Sequence, residues 1–178
     1  VVLENDVLKL RPFEIEDIDQ ILPHFNDEEV RQYLAVIFPV NKLVERNFIE
    51  SLYKDDKNIL LGMEVNGTLI GSIGLHRIDW VNRSTELGIV IFRKEYWNKG
   101  YGTKAIDLML KYAFKYLNMN RVSLKVYEYN ERAIHVYEKC GFKVEGRLRK
   151  AKFFKGRYWD VLVMGILRDE YFESRRKS

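Results

Sequence analysis

Trp97-Asn98-Lys99-Gly100-Tyr101-Gly102-Thr103 decides how this chain is read. An apolar run precedes it at residues 87–92, and a strongly helical segment follows at residues 104–117. A glycine-bearing turn that feeds a helix N-terminus is an anion site. Backbone N–H groups point out of it, and the helix dipole adds partial positive charge. Two glycines let the backbone approach a phosphate with no Cβ in the way. A phosphate-bearing ligand is expected. Gly100-x-Gly102-x-x-Ala105 matches a dinucleotide fingerprint, and Glu128 lies roughly where that motif wants an acid. That motif needs its first glycine directly after the strand, whereas residues 93–99 intervene here and the turn lies mid-chain. The bland alternative is a helix start with turn glycines and no ligand.

A second segment narrows the choice: Asn130-Glu131-Arg132-Ala133-Ile134-His135-Val136-Tyr137-Glu138-Lys139-Cys140-Gly141-Phe142. It follows a strand pattern at residues 121–129. Asn130 suits a helix cap, Glu131 suits the first turn, and Gly141 suits the position just past the end. Together the two segments resemble the GNAT superfamily of acetyl-coenzyme A-dependent N-acetyltransferases, over nearly the whole chain. Leu8-Lys9-Leu10-Arg11-Pro12 and Asn26-Asp27-Glu28-Glu29-Val30 look like the RimJ/RimL-type branch, which acetylates protein N-termini. Residues 130–159 look at least as much like the spermidine acetyltransferases. Trp97 departs from the family pattern, which places Gln or Arg there; that change is familiar in the RimJ/RimL-type branch.

Composition bounds the answer. One hundred and seventy-eight residues fit one domain with a substantial core. Apolar content of 47% and aromatic content of 13% argue against disorder. No window approaches the roughly 20 apolar residues of a membrane span, and no signal-peptide pattern opens the sequence. The single Cys140 can form no internal disulfide, so a cytoplasmic protein is expected. Net charge is only +4, so basicity does not call for nucleic acid. The basic run 168–178 reads as a short solvated terminus.

Periodicity places strands at 7–12, 60–65, 68–77, 85–92, 121–129, 142–148 and 159–167. Asn66-Gly67 is a hairpin signal, and Lys155-Gly156 marks another turn region. Helices are read from Ile15, from a cap at Asn26 or Asp27, and from a cap at Asn41. Later helices follow the glycine turn and Asn130. The fold class is α/β: a mixed, mostly antiparallel central sheet of about six to seven strands flanked by helices. The resemblance adds that strands 4 and 5 splay apart at their C-terminal ends. The pantetheine arm would then pair with backbone near Ile89, Val90 and Ile91. The pyrophosphate would rest on Asn98, Lys99, Gly100, Tyr101, Gly102 and Thr103. Asn130 and Ala133 would complete the cofactor contacts.

Acetylating an amine needs three things: removal of an amine proton, donors for the thioester oxygen, and a proton for the departing thiolate. Tyr137 is the acid expected from the resemblance, since a phenol near pKa 10 suits donation to a thiolate. It lies two helical turns after Asn130, on the same face. A core tyrosine is the structural alternative. Glu86 is the base or ammonium anchor, sharing one strand face with Gly88 and Val90; a strand-end salt bridge with Arg83 is the alternative. Lys139 or Arg132 could reach the nucleotide phosphates, but each reads first as an exposed helix cation. Cys140 reads as a small buried hydrophobe. His24, His76 and His135 lie far apart with no metal-ligand spacing and read as structural or surface residues; no metal is expected.

The acceptor amine is expected to be a protein N-terminus or a related small amine, with a polyamine as the alternative. Residues 25–56 would form one wall and supply Asp27, Glu28, Glu29, Glu45, Glu50, Asp55 and Asp56. A non-catalytic coenzyme A-binding domain or an RNA-associated module stands as a different class. The latter rests on Phe153, Phe154, Tyr158 and Trp159 interleaved with Lys150, Lys152, Lys155 and Arg157. That cluster reads as a hairpin closing over the site or as a homodimer surface.

Overall fold

The computed structural model of the chain describes residues 3–35 and 38–176. Its strands are β1 (Lys9–Pro12), β2 (Ile59–Val65), β3 (Thr68–Asp79), β4 (Ser84–Ile91), β5 (Arg121–Tyr127), β6 (Lys143–Phe154) and β7 (Arg157–Leu167). They form one sheet in the order β1-β2-β3-β4-β5-β7-β6. Every pairing is antiparallel except β4 with β5.

The parallel pair sets the shape of the molecule. β4 and β5 pair only at Ser84–Arg121, Thr85–Val122 and Glu86–Ser123. Beyond Glu86, β4 stays paired to β3 alone, while β5 runs on against β7. The sheet therefore opens into a V at its middle, the splay that the family resemblance implied. Two hairpins build its arms. Asn66 (φ 49°) and Gly67 (φ 79°) both adopt the left-handed conformation that a two-residue turn with the right strand twist demands. Lys155 (φ 50°) and Gly156 (φ 76°) do the same between β6 and β7. The β6–β7 hairpin extends up to that turn, further than the apolar alternation of the sequence suggested. Its added residues 149–154 are largely exposed and basic, so hydrophobic patterning was silent there.

Helices cover both faces: α1 (Ile18–Phe25), α2 (Glu28–Arg31), α3 (Lys42–Leu52), α4 (Tyr101–Lys111), α5 (Glu131–Lys139) and α6 (Arg168–Arg176). Asp27 caps α2 through Glu29 N–H, and Asn41 caps α3 through Val44 N–H. On one face Ile106, Met109 and Leu110 of α4 pack fully buried against Ile73, Leu75, Leu87, Val122 and Leu124. Each such side chain contributes about 1.5–3 kcal/mol by leaving water. On the other face Ile18, Ile21 and Ile49 of α1 and α3 pack with Leu69 and Phe92. A bulge in β3 opposite Met63 and Glu64 puts Leu69 on this second face while Ile73 stays on the first. The helix after the glycine turn, expected to run unbroken to 117, ends as α-helix at Lys111 and continues as a π-turn over Tyr112–Tyr116.

The C-terminal run corrects the sequence reading. Residues 168–176 are not a solvated tail but helix α6, docked on the core, and residues 177–178 lie outside the described residues. Tyr171 is 3% exposed, and its ring stands 5.0 Å from Phe114. Arg168 Nη1 donates to the carbonyls of Phe114 (2.5 Å) and Met119 (3.4 Å), and Arg175 pairs with Asp107 at 3.0 Å. One apolar face suffices to dock a helix whose overall composition looks like a solvated charge run.

Candidate active site

The V between β4 and β5 opens into a cavity of about 570 Å³. Every site residue expected from the sequence lines it: Glu86, Ile89, Val90 and Ile91 from β4, residues 98–103 of the glycine turn, and Asn130, Ala133 and Tyr137 around α5. The structure therefore brings together segments far apart in the chain.

The glycine turn is built as an anion cradle. Asn98 (φ 58°) and Gly100 (φ 84°) are left-handed, and Gly100 is the N-cap of α4 with no side-chain cap. The first N–H groups of α4 have no helical partner and point out of the turn. A Cβ at Gly102 would meet Ile91 Cδ1 and Val136 Cγ1 only at 4.0 Å, so a glycine here keeps the cavity floor open. These features fit the pyrophosphate and pantetheine of coenzyme A: orphan donors at the turn, and an open β4 edge beyond Glu86.

Trp97, the departure from the family pattern, has a local purpose. Its Nε1 donates to Ile91 O at 2.7 Å, which ties the turn to the end of β4. The Arg132 guanidinium lies over the Trp97 ring at 4.2 Å and over Tyr33 at 5.5 Å. Arg132 is thus half-buried on the cavity wall rather than a free helix cation. Lys139 is exposed, as the sequence suggested. Asn130 Oδ1 accepts from Ala133 N–H at 3.3 Å and caps α5.

Glu86 stands at the vertex of the V, the last β4 residue paired to β5. Its ion partner is Arg77 at 3.7 Å, not Arg83. Arg77 is 74% exposed, so the pair is worth little and leaves the carboxylate available to a ligand. Glu86 is the one carboxylate among the described residues lining the cavity. Of the acidic wall expected at 25–56, Asp27, Glu28 and Glu29 line a neighbouring hollow of about 330 Å³ with Gln32, Phe154 and Lys155. Glu45 is instead buried, and burial pushes its carboxyl up. Glu50, Asp55 and Asp56 line neither hollow.

Tyr137 belongs to the core cluster on the α4 face, yet it also lines the cavity. It is 8% exposed, and its ring meets Phe142 edge-on at 6.0 Å. Burial, with Cys140 adding, pushes its phenol up to about 12. Cys140 is buried too, and burial raises its thiol to about 12, which makes it inert as a nucleophile at neutral pH.

One residue of the site escaped the sequence reading. His76 lines the cavity and sits directly across from Glu86 in the β3–β4 register. Local counting could not have found it: back from the Asp79–Ser84 pair it puts Arg77 opposite Glu86, and only the bulge between His76 and Asp79, where Arg77 is left-handed (φ 49°), shifts the register and brings His76 there. His24 stacks on Phe92 at 5.6 Å away from the cavity, and His135 is exposed, as expected for structural and surface residues. Among the described residues no cluster of ligands could hold a metal, and no helix is long and apolar enough to cross a membrane.

Residues 8–143 match the family model described as acetyltransferase (GNAT) domain. The chain is 33% identical to the spermidine N(1)-acetyltransferase of Escherichia coli K12, over 95% of this chain and 90% of the relative. It superposes with a TM-score of 0.87 on the spermidine N-acetyltransferase of Vibrio cholerae in complex with CoA and spermine, at 31% identity, covering 94% of this chain and 99% of that one. A dodecameric structure of the Vibrio cholerae enzyme also matches, with a TM-score of 0.82 at 30% identity, covering 96% of this chain and 99% of that one.

Proposed function

Because the chain belongs to the GNAT acetyltransferase family, we propose that it moves the acetyl group of acetyl-coenzyme A onto a primary amine of a polyamine such as spermidine. The observation that carries the reading is the V between β4 and β5 with Glu86 at its vertex, the glycine turn at its mouth and Tyr137 in its wall. The pyrophosphate rests on the amides of residues 98–103. The pantetheine runs along the open edge of β4, at Ile89, Val90 and Ile91. Glu86 holds the ammonium of the acceptor, and Tyr137 returns a proton to the departing sulfur. The amine attacks the thioester directly, so no protein nucleophile is used.

The polyamine class is favoured over a protein N-terminus because the relatives reported above are spermidine acetyltransferases that cover almost the whole chain. Coenzyme A release is measured with spermidine, spermine, short peptides and small monoamines as acceptors. Spermidine or spermine should give the highest kcat/KM. A peptide as the best acceptor would return the reading to N-terminal acetylation. Binding of coenzyme A without turnover on any amine would make the domain a non-catalytic binder. A homo-oligomer is part of the reading, since Val144, Leu148, Phe153 and Tyr158 expose apolar surface on the β6–β7 hairpin. Sedimentation at the monomer mass would remove that part.

A further inference from the structure

The substrate side of the cavity holds an imidazole that the reaction as described does not use. Glu86, Gly88 and Val90 share one face of β4, and His76 and Gly74 lie opposite Glu86 and Gly88 on β3. The His76 ring folds back over this glycine pair. Its Nε2 lies 3.2 Å from where a Cβ on Gly88 would stand, and 3.0 Å from the same point on Gly74. The two glycines thus make the room that the ring occupies. No hydrogen bond among the described residues involves the His76 ring, and no buried side-chain nitrogen or oxygen lacks a partner. The ring nitrogens are therefore open to the cavity, beside the carboxylate at the vertex of the V.

We propose that His76 is the catalytic base of the transfer, taking the proton from the acceptor ammonium that Glu86 holds. This rests on the acetyltransferase reading above and adds a division of labour to it. An acceptor amine arrives as R–NH3⁺ and leaves as an amide with one N–H, so two protons depart. The first passes to the His76 ring and then to solvent. The freed lone pair forms the C–N bond at the thioester carbonyl, and the C–S bond breaks. The second proton ends on the sulfur by way of Tyr137, and coenzyme A leaves as its thiol. General-base catalysis works best when the base titrates near the working pH, which is the range of imidazole. Burial lowers the His76 pKa from its ordinary 6.5, the Glu86 carboxylate pulls it back up, and Arg77 lowers it further. Lys125, Tyr127 and Tyr33 line the same cavity. The ring is therefore neutral and ready to accept a proton at pH 7.

The test follows kcat against pH with spermidine at saturating acetyl-coenzyme A, for wild type and His76→Gln. In the wild type kcat should fall on the acid side as His76 protonates below pH 6.5. In the variant kcat should drop about 10²–10⁴-fold, the usual worth of a general base. The residual rate should rise about tenfold per pH unit, as hydroxide replaces the base. Acetyl-coenzyme A affinity by calorimetry should stay unchanged. A variant within about threefold of wild type, with the acid limb intact, overturns the assignment. A wild type that turns over no amine at all takes down the acetyltransferase reading instead, so the two failures are distinct. A readout independent of turnover comes from the imidazole proton NMR signals of the three histidines. The signal absent in His76→Gln should titrate below 6.5, and Glu86→Gln should move it lower still. A signal titrating above 6.5, or unmoved by Glu86→Gln, also overturns it. Should His76→Gln not fold, His76→Asn serves: kcat should fall at least about tenfold with coenzyme A affinity kept, and a rate within about threefold of wild type overturns the assignment.

Discussion

Tyr137 owes its chemistry to where its hydroxyl ends. The ring is packed in the core, yet the hydroxyl makes no hydrogen bond among the described residues, where no buried side-chain polar atom is unpartnered. It therefore opens into the cavity. Burial raises its pKa to about 12, and the sign suits an acid: the proton stays on across the working pH range and is delivered only to a strong base such as a thiolate. An alkaline loss of activity from this group is thus expected only well above pH 10, later than an unperturbed phenol would give. Tyr137→Phe keeps the ring, so stability should change by less than about 1 kcal/mol. Its kcat should fall about 10²–10⁴-fold with coenzyme A affinity unchanged. Single-turnover rates within about threefold of wild type would make Tyr137 a core aromatic only.

At the scale of elements, the glycine turn and α6 make separate predictions. Gly100 sits at φ 84°, so Gly100→Val strains the backbone whatever its effect on a phosphate. Gly102 is the cleaner probe, because its added side chain meets only ordinary contacts at 4.0 Å and projects into the cavity. Gly102→Val should leave the thermal unfolding midpoint within a few degrees of wild type while coenzyme A affinity, read by calorimetry, drops at least about tenfold. Equal affinity in the folded variant would remove the turn from the site. Helix α6 is tested by stability alone. Tyr171 is buried against Phe114, so Tyr171→Ala should cost about 3–5 kcal/mol in denaturant unfolding. A cost below about 1 kcal/mol would fit a solvated tail.

For the molecule as a whole, buried and paired ionisable groups give stability a maximum near neutrality. Asp17 is pushed up by burial but pulled down further by its hydrogen bonds with Arg11 and Glu14 N–H, so its net pKa is depressed. Glu145 is lowered by Arg121, and Glu170 by Lys143 and Leu167 N–H. His24 and His76 are lowered by burial. For each of these the unfolded chain binds protons first as pH falls, so stability is lost on acidification. The decline should begin below about pH 6.5 with the histidines and steepen below about pH 4 with the carboxylates. Burial raises Cys140 to about 12, and burial with neighbouring phenols raises Tyr129 to about 12. Tyr137 follows, so the unfolded chain loses protons first above about pH 8.5, and stability falls there too. Thermal midpoints measured from pH 3 to 11 should trace a dome; a midpoint that climbs steadily to pH 11 would contradict the burial of these groups.

What the sequence by itself determined is the part of this protein written in short-range rules. Gly100 and Gly102 before a helix, Asn130 and Gly141 around another, and Asn66-Gly67 between two strands each specify their own backbone. Hydrophobic period then placed most strands and both core-facing helices of the site. The splay between β4 and β5 and the residues that line it were expected only through the family resemblance that the glycine turn and the Asn130 segment carry; no local rule gives them. The tertiary structure alone decided what depends on groups meeting from distant segments. It placed His76 opposite Glu86, since a lone histidine in a strand carries no signal until its partner strand is in register. It turned Trp97 toward Ile91 O and laid Arg132 on its ring, which no local pattern encodes. It made a helix of residues 168–176, whose charge-rich composition offers little until Tyr171 finds Phe114. A side chain's chemistry comes from its type, but its pKa, exposure and partners come from what packs around it, and packing is long-range.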